Sequence, residues 1–290
     1  MDGDTSCAGG CPVSSVFKRG IAIFFVVVAG LSLVAASQSS FGVSTSLDVS
    51  LGVGSLALVG GNLVWEKQSS FPVYSGVPAV ALEDLNFLDR IAVFGYNGVV
   101  DKASTLATIG LLAVPGVYSL LKGDAMWGYG LMYFETVAIT YGLKELAKNL
   151  VVRERPYVYG SGAPAEEFSN GDYCRSFPSG HTALAFASAT FLTMVMGFDD
   201  SASPWRVPVC IGSYAVALGV ATSRVLSGNH YITDVLVGAL IGAACGAVVP
   251  LLHLGSLGGA SGSSNSSSSA NSNTASFGIS PTGVAFGVSF

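Results

Sequence analysis

Charge is what this sequence has least of. Only 11% of its 290 residues are Asp, Glu, Lys or Arg, against roughly a quarter in an ordinary soluble domain. Half are hydrophobic, so the chain cannot clothe a water-soluble surface and belongs in a membrane. Basic residues are scarcer than acidic ones, 13 against 18, which leaves no basic surface of the kind nucleic acid needs. Cysteine is sparse and scattered. Cys7 and Cys11 precede the first apolar run, Cys174 lies in a polar loop, and Cys210 and Cys245 fall inside apolar segments, so no disulfide framework can be read from them. The chain has no CxxC pair, no HExxH and no GxxxxGK[ST]. Zinc and P-loop chemistry are therefore not expected, nor is a metal or any other cofactor. Histidine occurs only three times.

What the chain does have is long apolar runs. The first, in "FKRGIAIFFVVVAGLSLVAASQ", follows Lys18 and Arg19 and ends in small residues, so 1–37 reads as a signal peptide or a retained N-terminal anchor. Six more runs follow, at about 49–65, 104–121, 126–148, 180–198, 207–223 and 233–253. Most are close to the ~20 residues that a bilayer core demands. The fold expected is all-α, a six-helix transmembrane bundle. The first of the six is Gly-rich and the weakest, and Pro115 should kink the second. Residues 38–103 combine that first run with an interfacial stretch of short helix and loop. Residues 255–276, rich in Gly, Ser and Asn, read as a flexible linker. The tail, 277–290, is hydrophobic and could place Val284, Phe286, Val288 and Phe290 on one face of a strand or simply fray.

The few charges cluster at particular helix ends. Lys148 closes the third run and Arg155 lies seven residues on, two helical turns away if the helix continues to Pro156. The tetrapeptide "PSGH" opens the fourth run with Ser179, Gly180 and His181. Between the fifth and sixth runs, "SRVLSGNHYITD" holds Arg224, His230 and Asp234. A chain that exits after the third run, crosses with the fourth and returns with the fifth brings all three clusters to one face of the bundle. Independent snorkelling flanks would have no reason to converge in this way. Three cations can neutralise a phosphoryl group, and Arg forks can grip its oxygens in pairs. A helix N-terminus at Gly180 adds backbone donors. Two histidines can divide the roles of nucleophile and acid without a metal.

The stretches "KNLVVRERP", "PSGH" and "SRVLSGNHYITD" fit KxxxxxxRP, PSGH and SRxxxxxHxxxD, and in this the chain resembles the type 2 phosphatidic acid phosphatase superfamily, which includes lipid phosphatases and the vanadium haloperoxidases. The resemblance covers 148–234 by motif and makes 104–254 a phosphatase core. It implies that His230 attacks phosphorus to form a phosphohistidine, that Asp234 orients His230, and that His181 protonates the leaving oxygen. It also implies that Lys148, Arg155, Ser179, Gly180 and Arg224 bind the phosphate and the charge that develops on it. Arg153, Arg175, Glu166, Glu167 and Asp172 are expected to be solvated loop charges. His253 falls on the opposite rim and is left out of the site.

The activity implied is a metal-independent membrane phosphatase acting on a lipid such as phosphatidic acid, phosphatidylglycerophosphate, a polyprenyl pyrophosphate or lipid A. Alternatives are a lipid phosphotransferase using the same intermediate, or a non-enzymatic lipid-binding membrane protein. The setting expected is a bacterial inner membrane, crossed several times, with the site facing the periplasm.

Overall fold

The computed structural model describes residues 41–42, 44–69 and 73–255, together with the backbone of 275–280 and 283–288. The N-terminal signal-or-anchor stretch and most of the Gly/Ser/Asn-rich segment lie outside the described residues. The helices are α1 (Thr45–Gln68), α2 (Phe87–Arg90), α3 (Gly98–Leu120), α4 (Met126–Leu150), α5 (Ala165–Ser169), α6 (Gly180–Asp199), α7 (Arg206–Leu226) and α8 (Ile232–Gly255). Six of them are long and two are single turns. Residues 41–255 thus form an all-helical bundle. Beyond it, a second unit contains an antiparallel hairpin of β1 (Ala275–Ser280) and β2 (Gly283–Val288), with Phe277 opposite Phe286.

Of the six long helices, α1, α3, α6, α7 and α8 are long and apolar enough to cross a membrane. The sixth, α4, carries Glu135, Lys144, Glu145 and Lys148, and most of its face is turned inward. Leu106, Ile109 and Val117 on α3, Ile211 and Leu218 on α7, and Leu236 and Leu240 on α8 all point outward. On a protein in water such a belt would aggregate, whereas in a bilayer it is the lipid-facing surface.

The centre of the bundle is α6, where Ala183, Ala185, Ala187, Ala189, Phe191 and Val195 are wholly buried. It packs against α8, α7, α3 and α4. Its closest neighbour is α8, and the reason is a run of small residues at every fourth position. A Cβ placed at Gly238 would lie 2.5 Å from the Ser179 carbonyl oxygen, one at Gly242 would lie 2.0 Å from that of Ala183, and one at Gly246 would lie 2.6 Å from that of Ala187. Only glycine permits backbones to approach so closely, the usual device of helix pairs in lipid, where apolar burial does not favour helix over solvent. The register advances in the same direction on both helices, so α6 and α8 run parallel and start at the same rim. There the Ser179 amide donates to the Asp234 carbonyl at 3.0 Å.

The helix boundaries differ from the apolar runs in two places that matter. First, α3 starts at Gly98, before its apolar run, because the Asn97 side chain accepts hydrogen bonds from the Val99 and Val100 amides at 3.1 and 3.2 Å. This brings Asp101 onto the helix, one turn ahead of Thr105. Second, α4 ends at Leu150 and does not continue to Pro156. Arg155 is extended, as a residue before proline prefers to be. The segment 151–155 is instead paired with 173–176. The Arg153 amide donates to the Cys174 carbonyl (2.9 Å), Arg155 to Tyr173 (2.7 Å), and Ser176 back to Arg153 (2.9 Å).

Candidate active site

A cavity of about 140 Å3 opens at the rim where α6 and α8 begin and α4 and α7 end. Of the residues expected to form a site, Lys148, Arg155, Gly180, His181, Arg224 and His230 border it. Ser179 and Asp234 do not. Both are completely buried in the layer behind the wall. The Ser179 hydroxyl is engaged with Thr182 Oγ1 at 2.9 Å. Five cationic side chains and three carboxylates border the cavity, so it carries an excess of positive charge suited to an anion.

His230 lies in the loop between α7 and α8, 2% exposed. Its Nδ1 is 2.7 Å from the Ser176 carbonyl oxygen, and a carbonyl can only accept, so Nδ1 carries the proton and Nε2 keeps its lone pair. The carboxylate of Asp234 was expected to orient this ring, yet its Oδ2 is 3.7 Å from Nδ1, beyond hydrogen-bond range. Asp234 instead accepts from the Ser176 hydroxyl (2.5 Å) and the Tyr231 amide (2.9 Å). It therefore holds the residue that holds the histidine. Burial, and then the positive charges of Arg224, Arg155 and Lys148, push the His230 imidazole well below its ordinary pKa, which keeps it neutral. His181, in the first turn of α6, sets its Nε2 3.2 Å from Thr105 Oγ1. That hydroxyl gives its own proton to the Asp101 carbonyl at 3.1 Å, so at this contact the histidine is the donor.

The cations are fixed by partners that sequence reasoning missed. Arg224 is ion-paired to Asp101 and bonded to Ser104 at 3.1 Å, both on the first turns of α3. Arg155 donates to the Asp172 carbonyl at 2.9 Å and to Asn229 Oδ1 at 2.6 Å. Lys148 donates to the Arg175 carbonyl at 3.2 Å. Arg175, expected to be a solvated loop charge, is 5% exposed and borders the cavity. Its guanidinium donates to Glu145 at 2.8 Å, and Glu145 is also paired with Lys144. A Cβ on Gly180 would lie 2.9 Å from the Lys144 Cδ, so the glycine of "PSGH" makes room for a lysine. The spacing of Lys144 and Lys148, one turn apart on α4, was the available signal for this second lysine.

Arg153, likewise expected in solvent, bridges two completely buried carboxylates. It reaches Asp89 and Asp234 at 2.5 Å each and lies over the Tyr231 ring at 4.3 Å. Burial opposes its charge, but Asp234 and Asp89 outweigh that and raise its pKa. Asp172, also placed in solvent by the sequence, borders the cavity beside Arg155. Glu166 is exposed, as expected.

The match to known families falls on this architecture, over residues 129–256, and its description is PAP2 superfamily. The matched segment supplies both histidines and all five cations, while Glu66, Asp101 and Thr105 come from helices ahead of it. The chain is 40% identical over 77 residues to a lipid A 1-phosphatase of Porphyromonas gingivalis, covering 27% of this chain and 16% of that protein. It is 37% identical over 83 residues to a protein of Schizosaccharomyces pombe described as "probable diacylglycerol pyrophosphate phosphatase 1", covering 27% and 30%. The chain spans less than half the length of the curated relatives it matches. Among solved structures, Aquifex aeolicus LpxE aligns with a TM-score of 0.42 at 22% identity, over 59% of this chain and 98% of that one. A PAP2-type phosphatidylglycerolphosphate phosphatase from Bacillus subtilis aligns with a TM-score of 0.43 at 20% identity, over 71% and 94%.

Proposed function

We propose that the protein is a membrane lipid phosphatase that removes a phosphate from a lipid phosphomonoester or pyrophosphate, through a phosphohistidine on His230 and with no metal at the reacting phosphorus. The observation that carries this reading is the fixed tautomer of His230. Its Nδ1 proton is committed to the Ser176 carbonyl, so the unprotonated nitrogen is available on the wall of a cation-rich cavity.

The Nε2 lone pair of His230 attacks phosphorus, the bond from phosphorus to the lipid oxygen breaks, and that oxygen takes a proton from the imidazolium form of His181, which is left neutral. Water then gives a proton back to His181 as its oxygen attacks phosphorus. The N–P bond breaks and inorganic phosphate leaves. Lys148, Arg155, Arg224 and the amides at the start of α6 hold the non-bridging oxygens, whose charge shifts in the transition state. Asp234 acts at one remove, by positioning Ser176, and Ser179 joins the start of α6 to α8. We take phosphatidic acid, phosphatidylglycerophosphate, polyprenyl pyrophosphate and lipid A type phosphates as the candidate substrates, because a cation-lined cavity at a membrane rim suits the phosphate of a lipid. We place the site on the periplasmic face of a bacterial inner membrane.

Purified full-length protein in detergent, given short-chain phosphatidic acid or a polyprenyl pyrophosphate with EDTA present, should release inorganic phosphate. His230→Ala should slow release by about 10^3-fold or more. Acid-quenched wild-type reactions should carry labile phosphate on His230. Release by His230→Ala at the wild-type rate would overturn the mechanism.

A further inference from the structure

At the other end of the bundle, three ionisable side chains from three helices meet in the interior, and the phosphoryl chemistry uses none of them. Asp48 comes from the first turn of α1, Glu135 from α4 and His253 from the last turn of α8. His253 Nε2 is 2.8 Å from Asp48 Oδ1 and 3.5 Å from Glu135 Oε2. One donor atom from each of the three lies within 4.8 Å of the other two. The side chains are 9%, 0% and 1% exposed in the order Asp48, Glu135, His253. His253 stands 21 residues beyond the start of α8, about 30 Å along the helix from the His230 rim. We propose that Asp48, Glu135 and His253 bind a divalent first-row transition-metal ion, zinc or manganese, that ties α1 to α4 and α8.

The hydrogen bonds around the cluster leave a charge that a cation between these groups would balance. His253 Nδ1 is 2.9 Å from the Val249 carbonyl oxygen, one turn back on the same helix. Nδ1 must donate there, so in the neutral ring Nε2 presents a lone pair to the two carboxylates. A ring whose far nitrogen is anchored to a backbone carbonyl has the outer-shell arrangement of metal-binding histidines. Among the described residues, both oxygens of Glu135 and Oδ2 of Asp48 are buried without a hydrogen-bond partner. Among the described residues, no Lys or Arg forms an ion pair with either carboxylate. Two buried carboxylates without a counter-charge would be strongly destabilising, and a divalent ion brings the site to neutrality.

The donor set selects the kind of ion. Three protein ligands, one imidazole nitrogen and two carboxylate oxygens, suit zinc or manganese, with the remaining position filled by water. Calcium and magnesium favour oxygen ligands throughout. Metal–ligand bonds of about 2.0–2.2 Å imply ligand atoms about 3.4 Å apart in a tetrahedron, within the spread of the distances seen. The chain ahead of α1 also meets the end of α8. The Gly42 amide donates to the His253 carbonyl at 3.2 Å, and Phe41 is buried beside it.

The test uses full-length protein in detergent, stripped by prolonged chelation and then offered Zn2+, Mn2+ or Mg2+ separately. The expected result is about one Zn2+ or Mn2+ per chain retained through gel filtration, with a rise in Tm that Mg2+ does not reproduce. Glu135→Gln, close in shape and without the charge, should lose both the bound ion and the Tm rise while still releasing lipid phosphate. If that variant fails to fold, Asp48→Asn is read in its place. A cysteine-free variant should keep the ion. Retention of no ion by wild-type protein, or undiminished retention by the folded carboxamide variant, would overturn the proposal.

Discussion

The Ser176 carbonyl decides which nitrogen of His230 can act, and two predictions follow from that contact. The histidine must be neutral to attack, and its surroundings lower its pKa well below the ordinary 6.5. Rate should therefore fall only as pH drops through that lowered value. The acid limb of kcat/KM should lie below pH 6.5, read from initial rates on a soluble short-chain substrate. A limb at or above 6.5 would mean that His230 is not the group titrating. Removing Arg153 should matter through stability. Arg153→Met leaves Asp89 and Asp234 buried and unpaired, a loss of about 3 kcal/mol, to be measured as a lowered Tm in detergent. Asp234→Asn should lower kcat far more than it raises KM, because it disturbs the ring's support and does not touch the substrate.

At the scale of helices and loops, the bundle depends on the seam between α6 and α8. A Leu at position 242 has no room, since even a Cβ would overlap the Ala183 backbone. Gly242→Leu should cost at least about 3 kcal/mol and displace His181 relative to His230. The expected readout is loss of both phosphate release and folded yield, whereas Gly110→Leu, on the open side of α3, should change neither. The six long helices were legible in the sequence, because hydrophobic runs near the length of a bilayer mark themselves. So was the grouping of Lys148, His181, Arg224 and His230 at one rim, because chain parity determines it. The partners of those residues were not legible. Asp101 belongs to α3 only because Asn97 caps that helix early, and Arg153 and Arg175 read as solvated because nothing in a linear sequence announces that 151–155 pairs with 173–176. Proximity set by loop pairing has no period to detect. His253 was rightly placed at the far rim, but its meeting with residues 205 and 118 positions earlier is a tertiary fact.

For the molecule as a whole, the apolar belt and the polar rim together define how it sits in lipid. In the orientation proposed above, Glu166 on α5, in the loop that joins α4 to α6, is an exposed position on the outer side. In a background without native cysteines, Glu166→Cys should react with a membrane-impermeant maleimide on intact cells. Labelling only after lysis would reverse the assigned orientation. The parallel pairing of α6 and α8 has one further effect. One imidazole opens the first of these helices and the other immediately precedes the second, so their separation is set by glycine spacing inside the protein. Thinner or thicker bilayers should change how readily a lipid enters, yet leave the bond-breaking step that the two rings share at the same rate once it has arrived.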